Sequence, residues 1–327
     1  MEEAIRQVAE ALEAQGYVAD RDIATAVHLA RRLRKPLLVE GEAGVGKTEI
    51  AKVVAAAFGM ELIRLQCYEG LDVNTALYEW DYPRQILRIR LGEAEGASAR
   101  ELEETIFDRQ YLLERPLLQA IGREEPPVLL IDEIDRADEE FEAFLLELLS
   151  DFQVTIPELG TLRAKSRPYV VLTSNGTREL SDALRRRCLY LWVDYPSFEK
   201  ELRILHARVP ELRSGLDEEV ARFVERLREE KLYKRPGVAE TLDWARALED
   251  LGVEDLEPAT VRATLGCLLK DRIDMESMGP AEVERLLSAA LAGPTGGDGG
   301  DGAAGSEARG VGGGMGGGEG NGQSGGG

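Results

Sequence analysis

The chain has 327 residues, 43% of them hydrophobic and 31% charged, and at about 100–200 residues per domain it is long enough for two domains. Its 40 Lys and Arg residues against 61 Asp and Glu residues give a formal net charge of −21, which disfavours a protein whose main task is to bind phosphate backbones. The acidic start is unlike a secretory signal and no run approaches the roughly 18 apolar residues of a transmembrane helix, so we expect a cytoplasmic protein without a membrane span.

The first 195 residues alternate short apolar runs with longer helical patterns, which is typical of a parallel sheet with helices on both faces. Apolar residues at helical spacing predict an opening amphipathic helix, namely Ile5, Val8, Ala9 and Leu12. Apolar or alternating runs predict strands at 37–39, 61–66, 128–131, 169–172 and 189–193. A turn signal inside 154–164 predicts a hairpin there.

Beyond residue 195 the strand patterns stop. Helical patterns follow at 198–208, 216–228, 238–248, 258–272 and 280–291, several with proline in the first turn. From residue 293 to 327 the chain is dominated by glycine and cannot bury enough apolar area to offset its ordering entropy. We therefore predict an α/β domain over 1–195, a small all-helical lid domain over 196–292 and a disordered tail over 293–327.

A glycine-rich phosphate-binding motif follows the first predicted strand. It fits the pattern G-x-x-x-x-G-K-[ST] and consists of Gly41, Glu42, Ala43, Gly44, Val45, Gly46, Lys47 and Thr48. The glycines let successive N–H groups point at phosphate oxygens, and the helix that follows adds its positive end. We expect Lys47 to reach the β- and γ-phosphates and Thr48 to bind Mg²⁺. The strand–loop–helix context predicts a nucleotide site.

Two carboxylates, Asp132 and Glu133, directly follow the apolar run at 128–131. They stand at the C-terminal end of a strand, the edge of an α/β sheet where ligands bind. We expect Asp132 to hold Mg²⁺ through its water shell and Glu133 to polarise the attacking water as general base. Together with the phosphate motif they predict an ATPase that uses ATP and Mg²⁺.

These motifs, with Thr173-Ser174-Asn175 at the end of the next strand, resemble the P-loop ATPase core of the AAA+ superfamily. The resemblance implies that Asn175 is the sensor-1 residue, an amide that aligns the hydrolytic water. It also implies that an arginine just before the last strand reaches the ATP of a neighbouring subunit. Arg187 matches that arginine finger best, with Arg186 second. Because a finger supplied in trans requires assembly, we expect a ring. No guanine-specific motif stands where a GTPase would need one, so adenine is expected.

The lid departs from the superfamily pattern. Where the sensor-2 arginine is expected, at the start of the third lid helix, the chain has Ala239 and Glu240. Lys234 or Arg235, just before that helix, are the candidate substitutes.

Two inserted segments resemble the MoxR-type branch of AAA+ proteins: about 60 residues before the Asp132 strand, and the hairpin at 154–164. The loops 65–72 and 151–160 resemble those of ATPases encoded beside carbon monoxide dehydrogenase and related molybdenum hydroxylases. The resemblance spans residues 1 to about 292. It implies a homo-hexameric ATPase that works with a von Willebrand A-domain protein. Together they would remodel or mature a client metalloenzyme of the molybdenum hydroxylase type.

Three other functions stay open from the sequence. An AAA+ nucleic-acid loader or motor would need a basic, salt-sensitive groove, and the isolated tryptophans give base stacking little support. The chain could also be an activase of a different enzyme, such as a carboxylase or reductase, or a nucleotide-gated scaffold that does not hydrolyse ATP. Three distant cysteines and two distant histidines argue against a disulfide framework, a cysteine zinc site and a histidine metal cluster.

Overall fold

A parallel β-sheet organises the first part of the computed structural model, which describes residues 2–96 and 98–292. The strands are β1 Leu37–Gly41, β2 Leu62–Gln66, β3 Tyr78–Trp80, β4 Leu112–Glu114, β5 Val128–Asp132, β6 Gln153–Ile156, β7 Gly160–Arg163, β8 Tyr169–Ser174 and β9 Leu189–Val193. The sheet has the order β2-β5-β8-β1-β9, while β3–β4 and β6–β7 are separate antiparallel pairs. The predicted sheet strands and the hairpin at 154–164 are confirmed. The predicted tail, residues 293–327, lies outside the described residues.

Helices cover this sheet and then continue alone to the end of the described chain. They are α1 Glu2–Glu13, α2 Arg21–Leu33, α3 Lys47–Ala57, α4 Val73–Leu77, α5 Tyr82–Glu95, α6 Ala99–Ile106, α7 Pro116–Gly122, α8 Glu139–Asp151, α9 Asp182–Arg187, α10 Phe198–Arg208, α11 Leu216–Glu229, α12 Val238–Asp250, α13 Pro258–Thr264, α14 Arg272–Ser277 and α15 Pro280–Leu291. Within the described part of the chain, no helix combines the length and apolarity needed to cross a bilayer.

The single helix predicted over 258–272 is wrong. Helix α13 ends at Thr264, a 3-10 turn spans Leu265–Cys267, and α14 starts only at Arg272. Gly266 sits in the interruption, where a helix loses about 1 kcal/mol relative to alanine. The carboxylate of Asp271 accepts the N–H of Ile273 at 2.7 Å and so caps a new helix instead of continuing the old one.

The sheet is buried on both faces because successive strand side chains point to opposite sides. On one face Leu38, Leu129 and Leu172 belong to a core with residues of α7, α8 and α9. On the other face Leu37 and Val39 belong to a core with residues of α1, α2 and α3. This layering leaves the C-terminal ends of the parallel strands free to carry a site.

Helices α10 to α15 have a core of their own, crossed by a buried polar network. Arg228 of α11 forms a bidentate ion pair with Glu201 of α10, and both side chains are less than a tenth exposed. Thr241 of α12 donates a hydrogen bond to Glu201 over 2.7 Å. Arg228 also donates from Nε to the carbonyl oxygen of Pro236, 2.8 Å away, and its guanidinium lies 5.0 Å from the ring centroid of Tyr195. The network fixes the segment that leads into α12.

Replacing Glu201 with alanine is expected to lower the free energy of unfolding by about 3–5 kcal/mol, because the Arg228 guanidinium would stay buried without its carboxylate. Urea denaturation followed by circular dichroism measures this loss. The double replacement Glu201→Met and Arg228→Met should recover most of it, since apolar side chains then fill the space. Glu282→Ala, which breaks an exposed pair with Arg285, is the matched control and should change the free energy of unfolding little, because both groups are exposed to solvent. A Glu201→Ala loss no larger than the control would contradict the role of the network.

Candidate active site

The loop between β1 and α3 has a shape that its glycines permit. Gly44 and Gly46 have φ angles of 78° and 91°, in the left-handed region that favours glycine. A Cβ on Gly41 would lie 2.0 Å from the carbonyl oxygen of Val193, so a side chain does not fit beside β9. Gly46 is also the N-cap of α3, and the loop therefore ends at the positive end of that helix. This backbone arrangement suits an anion such as phosphate.

The side chain of Lys47 turns back into this loop. Its ammonium donates hydrogen bonds to the carbonyl oxygens of Gly41 and Glu42, at 2.9 and 2.6 Å. Burial lowers the pKa of the Lys47 ammonium, and nearby carboxylates, Asp135 first among them, oppose that shift. The loop thus surrounds a buried cationic group that can bind phosphate oxygens.

Asp132 lies at the C-terminal end of β5, where its carboxylate meets the start of α3. Thr48 donates from Oγ1 to Asp132 Oδ1 over 2.9 Å, and Thr173 of β8 donates to the same oxygen over 2.5 Å. The Asp132 side chain is only 3% exposed. A carboxylate and a hydroxyl held together beside a phosphate loop are the oxygen ligands that Mg²⁺ prefers. The residues present therefore fit the predicted Mg²⁺ at Thr48 and Asp132.

Glu133 leaves the strand through a backbone conformation that is uncommon for a residue with a side chain. Its φ and ψ of 54° and 51° lie in the left-handed region. The Glu133 N–H donates to Thr173 Oγ1 over 2.9 Å, so the hydroxyl that contacts Asp132 also fixes this turn. The Glu133 carboxylate is 35% exposed, lines the cleft and pairs with Arg136 at 2.8 Å. It is therefore accessible to a water molecule, as a general base must be.

Asp135 is a site residue that the sequence analysis missed. Its Oδ2 accepts the N–H of Asn175 at 3.2 Å and the N–H and hydroxyl of Thr177 at 3.0 and 2.6 Å. Burial alone would raise the pKa of the Asp135 carboxyl, but the hydrogen bonds from Thr177 and Asn175 bring it below its ordinary value. This carboxylate ties the loop after β8 to the turn after β5 and fixes Asn175 beside the cleft. The sequence signal for Asp135 is its place three residues after Asp132, in the run Asp-Glu-Ile-Asp.

Most of the predicted nucleotide-binding residues, with Glu133 and Asn175, converge on one cleft of about 480 Å³. This volume is usual for small-molecule sites. The predicted residues that line it are Ala43, Gly44, Val45, Gly46, Lys47, Thr48, Asp132, Glu133 and Asn175. Gly41 and Glu42 contribute through the carbonyl oxygens that hold Lys47. Gly16, Tyr17 and Val18, between α1 and α2, supply further lining that the sequence analysis did not identify.

Helix α12 closes the cleft by direct contact with the phosphate loop. The N–H of Val238 donates to the carbonyl oxygen of Gly44 over 2.9 Å. A Cβ on Gly237 would lie 2.7 Å from Gly44, so this approach depends on glycine at position 237. The helical part of the chain is therefore placed to respond to what the loop binds.

Helix α12 brings a basic side chain to the cleft, but it is neither of the two substitutes for sensor 2 that the sequence suggested. Neither Lys234 nor Arg235 is among the residues that line the cleft, whereas Arg246 is. Val238, Leu242 and Arg246 follow one another at four-residue spacing and so share one face of α12. Arg246 is therefore the arginine of α12 that lies at the cleft, on the helix where the superfamily pattern expects one.

The three arginines of α9 have different surroundings. Arg185 is tied within its own subunit, since it pairs with the buried Glu40 of β1 at 3.2 Å and its guanidinium lies 6.0 Å from the ring centroid of Tyr190. Arg187 is exposed and donates to Ser150 Oγ at 2.9 Å. Arg186 is exposed and forms no hydrogen bond or ion pair with the described residues. Arg186 and Arg187 are thus the two arginines of α9 whose side chains are exposed at the surface.

Comparison with known proteins agrees with this geometry. Residues 36–188, which run from just before β1 to just after α9, match the family described as AAA domain (dynein-related subfamily). An uncharacterized protein of Staphylococcus haemolyticus is 26% identical over 251 residues, which are 73% of this chain and 87% of that protein. An uncharacterized protein of Staphylococcus epidermidis is 24% identical over 254 residues, 74% of this chain and 87% of that protein. Together with the five-stranded parallel sheet, the match of residues 36–188 confirms the predicted P-loop α/β fold followed by a helical part.

Proposed function

We propose that the protein is an ATP-hydrolysing activase of the MoxR type. In this proposal it works as a homo-hexameric ring with a von Willebrand A-domain partner and remodels or matures a client metalloenzyme of the molybdenum hydroxylase type, such as carbon monoxide dehydrogenase. The observation that carries the ATPase part is the convergence of the phosphate loop, two acidic groups and an amide on one cleft.

The chemistry follows from where these groups stand. Lys47 and the loop N–H groups bind the phosphates of ATP, and Thr48 with Asp132 holds Mg²⁺, which supplies positive charge to the phosphate oxygens. The Glu133 carboxylate accepts a proton from the attacking water. The Asn175 amide orients that water, and Asp135 keeps Asn175 in position. The hydrogen bond from Val238 to Gly44 couples the lid to the phosphate loop, so a shift of the loop on nucleotide binding or release would be passed to the lid.

The insertion between β2 and β5 supports a role that needs a protein partner. Helix α5 of this insertion exposes large apolar side chains by more than half, namely Tyr82, Ile86, Leu87 and Leu91. Several large apolar side chains exposed on one helix favour a protein–protein contact site. The loop resemblance at 65–72 and 151–160 supports the choice of a molybdenum hydroxylase as client.

Capture of the ATP-bound protein tests this proposal. Tagged Glu133→Gln protein, expressed in its native host and trapped with ATP, should retain both a von Willebrand A-domain protein and a molybdenum enzyme, identified by mass spectrometry. The matched control carries Lys47→Ala in addition, cannot load ATP and should retain neither. Recovery of a carboxylase or reductase in place of the molybdenum enzyme would identify that enzyme as the client and contradict the molybdenum hydroxylase. Recovery of nucleic acid with replication or repair proteins would contradict the activase function.

A further inference from the structure

The Asp132 carboxylate has a cationic neighbour that the reaction scheme does not use. Arg64 of β2 reaches across to the adjacent strand and donates to Asp132 Oδ2 from Nε at 3.1 Å and from Nη2 at 2.6 Å. The same Nη2 also contacts Gln66 Oε1. The Arg64 side chain is 49% exposed, whereas that of Asp132 is 3% exposed. A half-exposed arginine thus pairs with a buried carboxylate.

The two carboxylate oxygens of Asp132 have separate partners. Oδ1 accepts the hydroxyl groups of Thr48 and Thr173, which belong to the phosphate loop and to β8. Oδ2 accepts from Arg64. A divalent cation that binds near Thr48 therefore shares one carboxylate with the guanidinium. Charges of like sign a few ångströms apart repel each other, and more strongly where water is partly excluded.

We propose that Arg64 is a positioning residue that competes with Mg²⁺ for Asp132 and so limits how strongly ATP binding depends on Mg²⁺. The inference rests on the proposed ATP site and adds a regulatory element to it. Mg²⁺ binding weakens the contact of Arg64 with Oδ2, and that contact weakens Mg²⁺ binding. By linkage the two changes in free energy are equal. Gln66 offers the guanidinium a neighbouring acceptor when it leaves Asp132.

The test compares the affinity for fluorescent methylanthraniloyl-ATP in EDTA and in Mg²⁺. The dissociation constant in EDTA divided by that in Mg²⁺ measures how much Mg²⁺ strengthens nucleotide binding. Arg64→Met should raise this ratio by about tenfold, a typical coupling between linked ligands. The same variant should melt at a lower temperature in EDTA and regain stability with Mg²⁺ and the nucleotide, because Asp132 then has a cation again.

Two further variants make the test specific. Arg123→Met removes the same charge from an exposed arginine that pairs with Glu61, next to the start of β2, and should leave the ratio unchanged. Arg64→Lys keeps the charge but loses the guanidinium geometry, so its ratio should lie between those of the native and Met proteins. If the Met variant does not fold, the Lys variant must still show an increased ratio.

The outcomes separate this inference from the proposed function. An unchanged or smaller ratio in both Arg64 variants, with normal ATP binding by the native protein, would overturn the competition and leave the ATP site intact. It would mean that Arg64 only supports the carboxylate. Failure of the native protein to bind the nucleotide in either condition would remove the ATP site and this inference with it.

Discussion

Arg187→Ala is expected to lower the rate of ATP hydrolysis by about 10³–10⁵-fold while each subunit still binds ATP. In the proposed ring, Arg187 reaches the ATP of the neighbouring subunit, where its guanidinium would stabilise the negative charge that develops on the transferred phosphoryl group. Arg185 cannot serve because Glu40 holds it within its own subunit. Steady-state phosphate release at several protein concentrations measures the effect.

A mixing experiment shows whether the finger acts between subunits. Arg187→Ala subunits keep an intact phosphate loop, and Lys47→Ala subunits keep an intact finger, so a mixture should regain activity that neither shows alone. Arg186→Ala is tested in parallel, because Arg186 is exposed and has no partner among the described side chains. If the Arg187→Ala protein matches the native rate at every concentration, the finger is assigned to the wrong residue.

Lys47→Ala is expected to weaken ATP binding by about 10²–10³-fold, the usual cost of removing one partner of a buried charged contact. Lys47 is only 6% exposed, and the carbonyl oxygens of Gly41 and Glu42 accept hydrogen bonds from its ammonium group within the loop. Without it the carboxylates near the loop would lie close to the phosphates with no lysine ammonium between them; these are Glu42, Asp132, Glu133 and Asp135. Titration with fluorescent ATP in Mg²⁺ measures the loss.

Lys165→Ala is the matched control for this titration. Lys165 pairs with Glu124, is 44% exposed and does not line the cleft, so its loss should leave the affinity for ATP unchanged. Equal affinities of the Lys47→Ala and native proteins would contradict the assignment of the loop as the phosphate site.

Local patterns predicted most of the fold and the motif residues of the site. The strands at 37–39 and 128–131 are short apolar runs, and the phosphate loop depends on glycines whose backbone angles only a few residue types adopt. Asp132 and Glu133 follow a strand directly, so their place at the sheet edge could be read from the chain.

Contacts between distant segments could not be predicted in this way. The pairing of Arg64 with Asp132 depends on β2 lying beside β5, and no local pattern gives the order of strands in a sheet. Asp135 acts through hydrogen bonds to the loop after β8, about 40 positions further along the chain. Arg246 lines the cleft because α12 packs against the phosphate loop, two helical turns from the place where the superfamily pattern expects an arginine.

We propose above all that the cleft binds ATP and that Glu133 activates the water that cleaves it. The most direct measurement is phosphate release by the native and Glu133→Gln proteins, prepared identically and shown to bind fluorescent ATP with equal affinity. The native protein should hydrolyse ATP in Mg²⁺, and Glu133→Gln should do so at least about 100-fold more slowly, because an amide cannot accept the proton of the attacking water. Equal rates in the two preparations would contradict the claim, since the cleft would then bind ATP without Glu133 acting as its catalytic base.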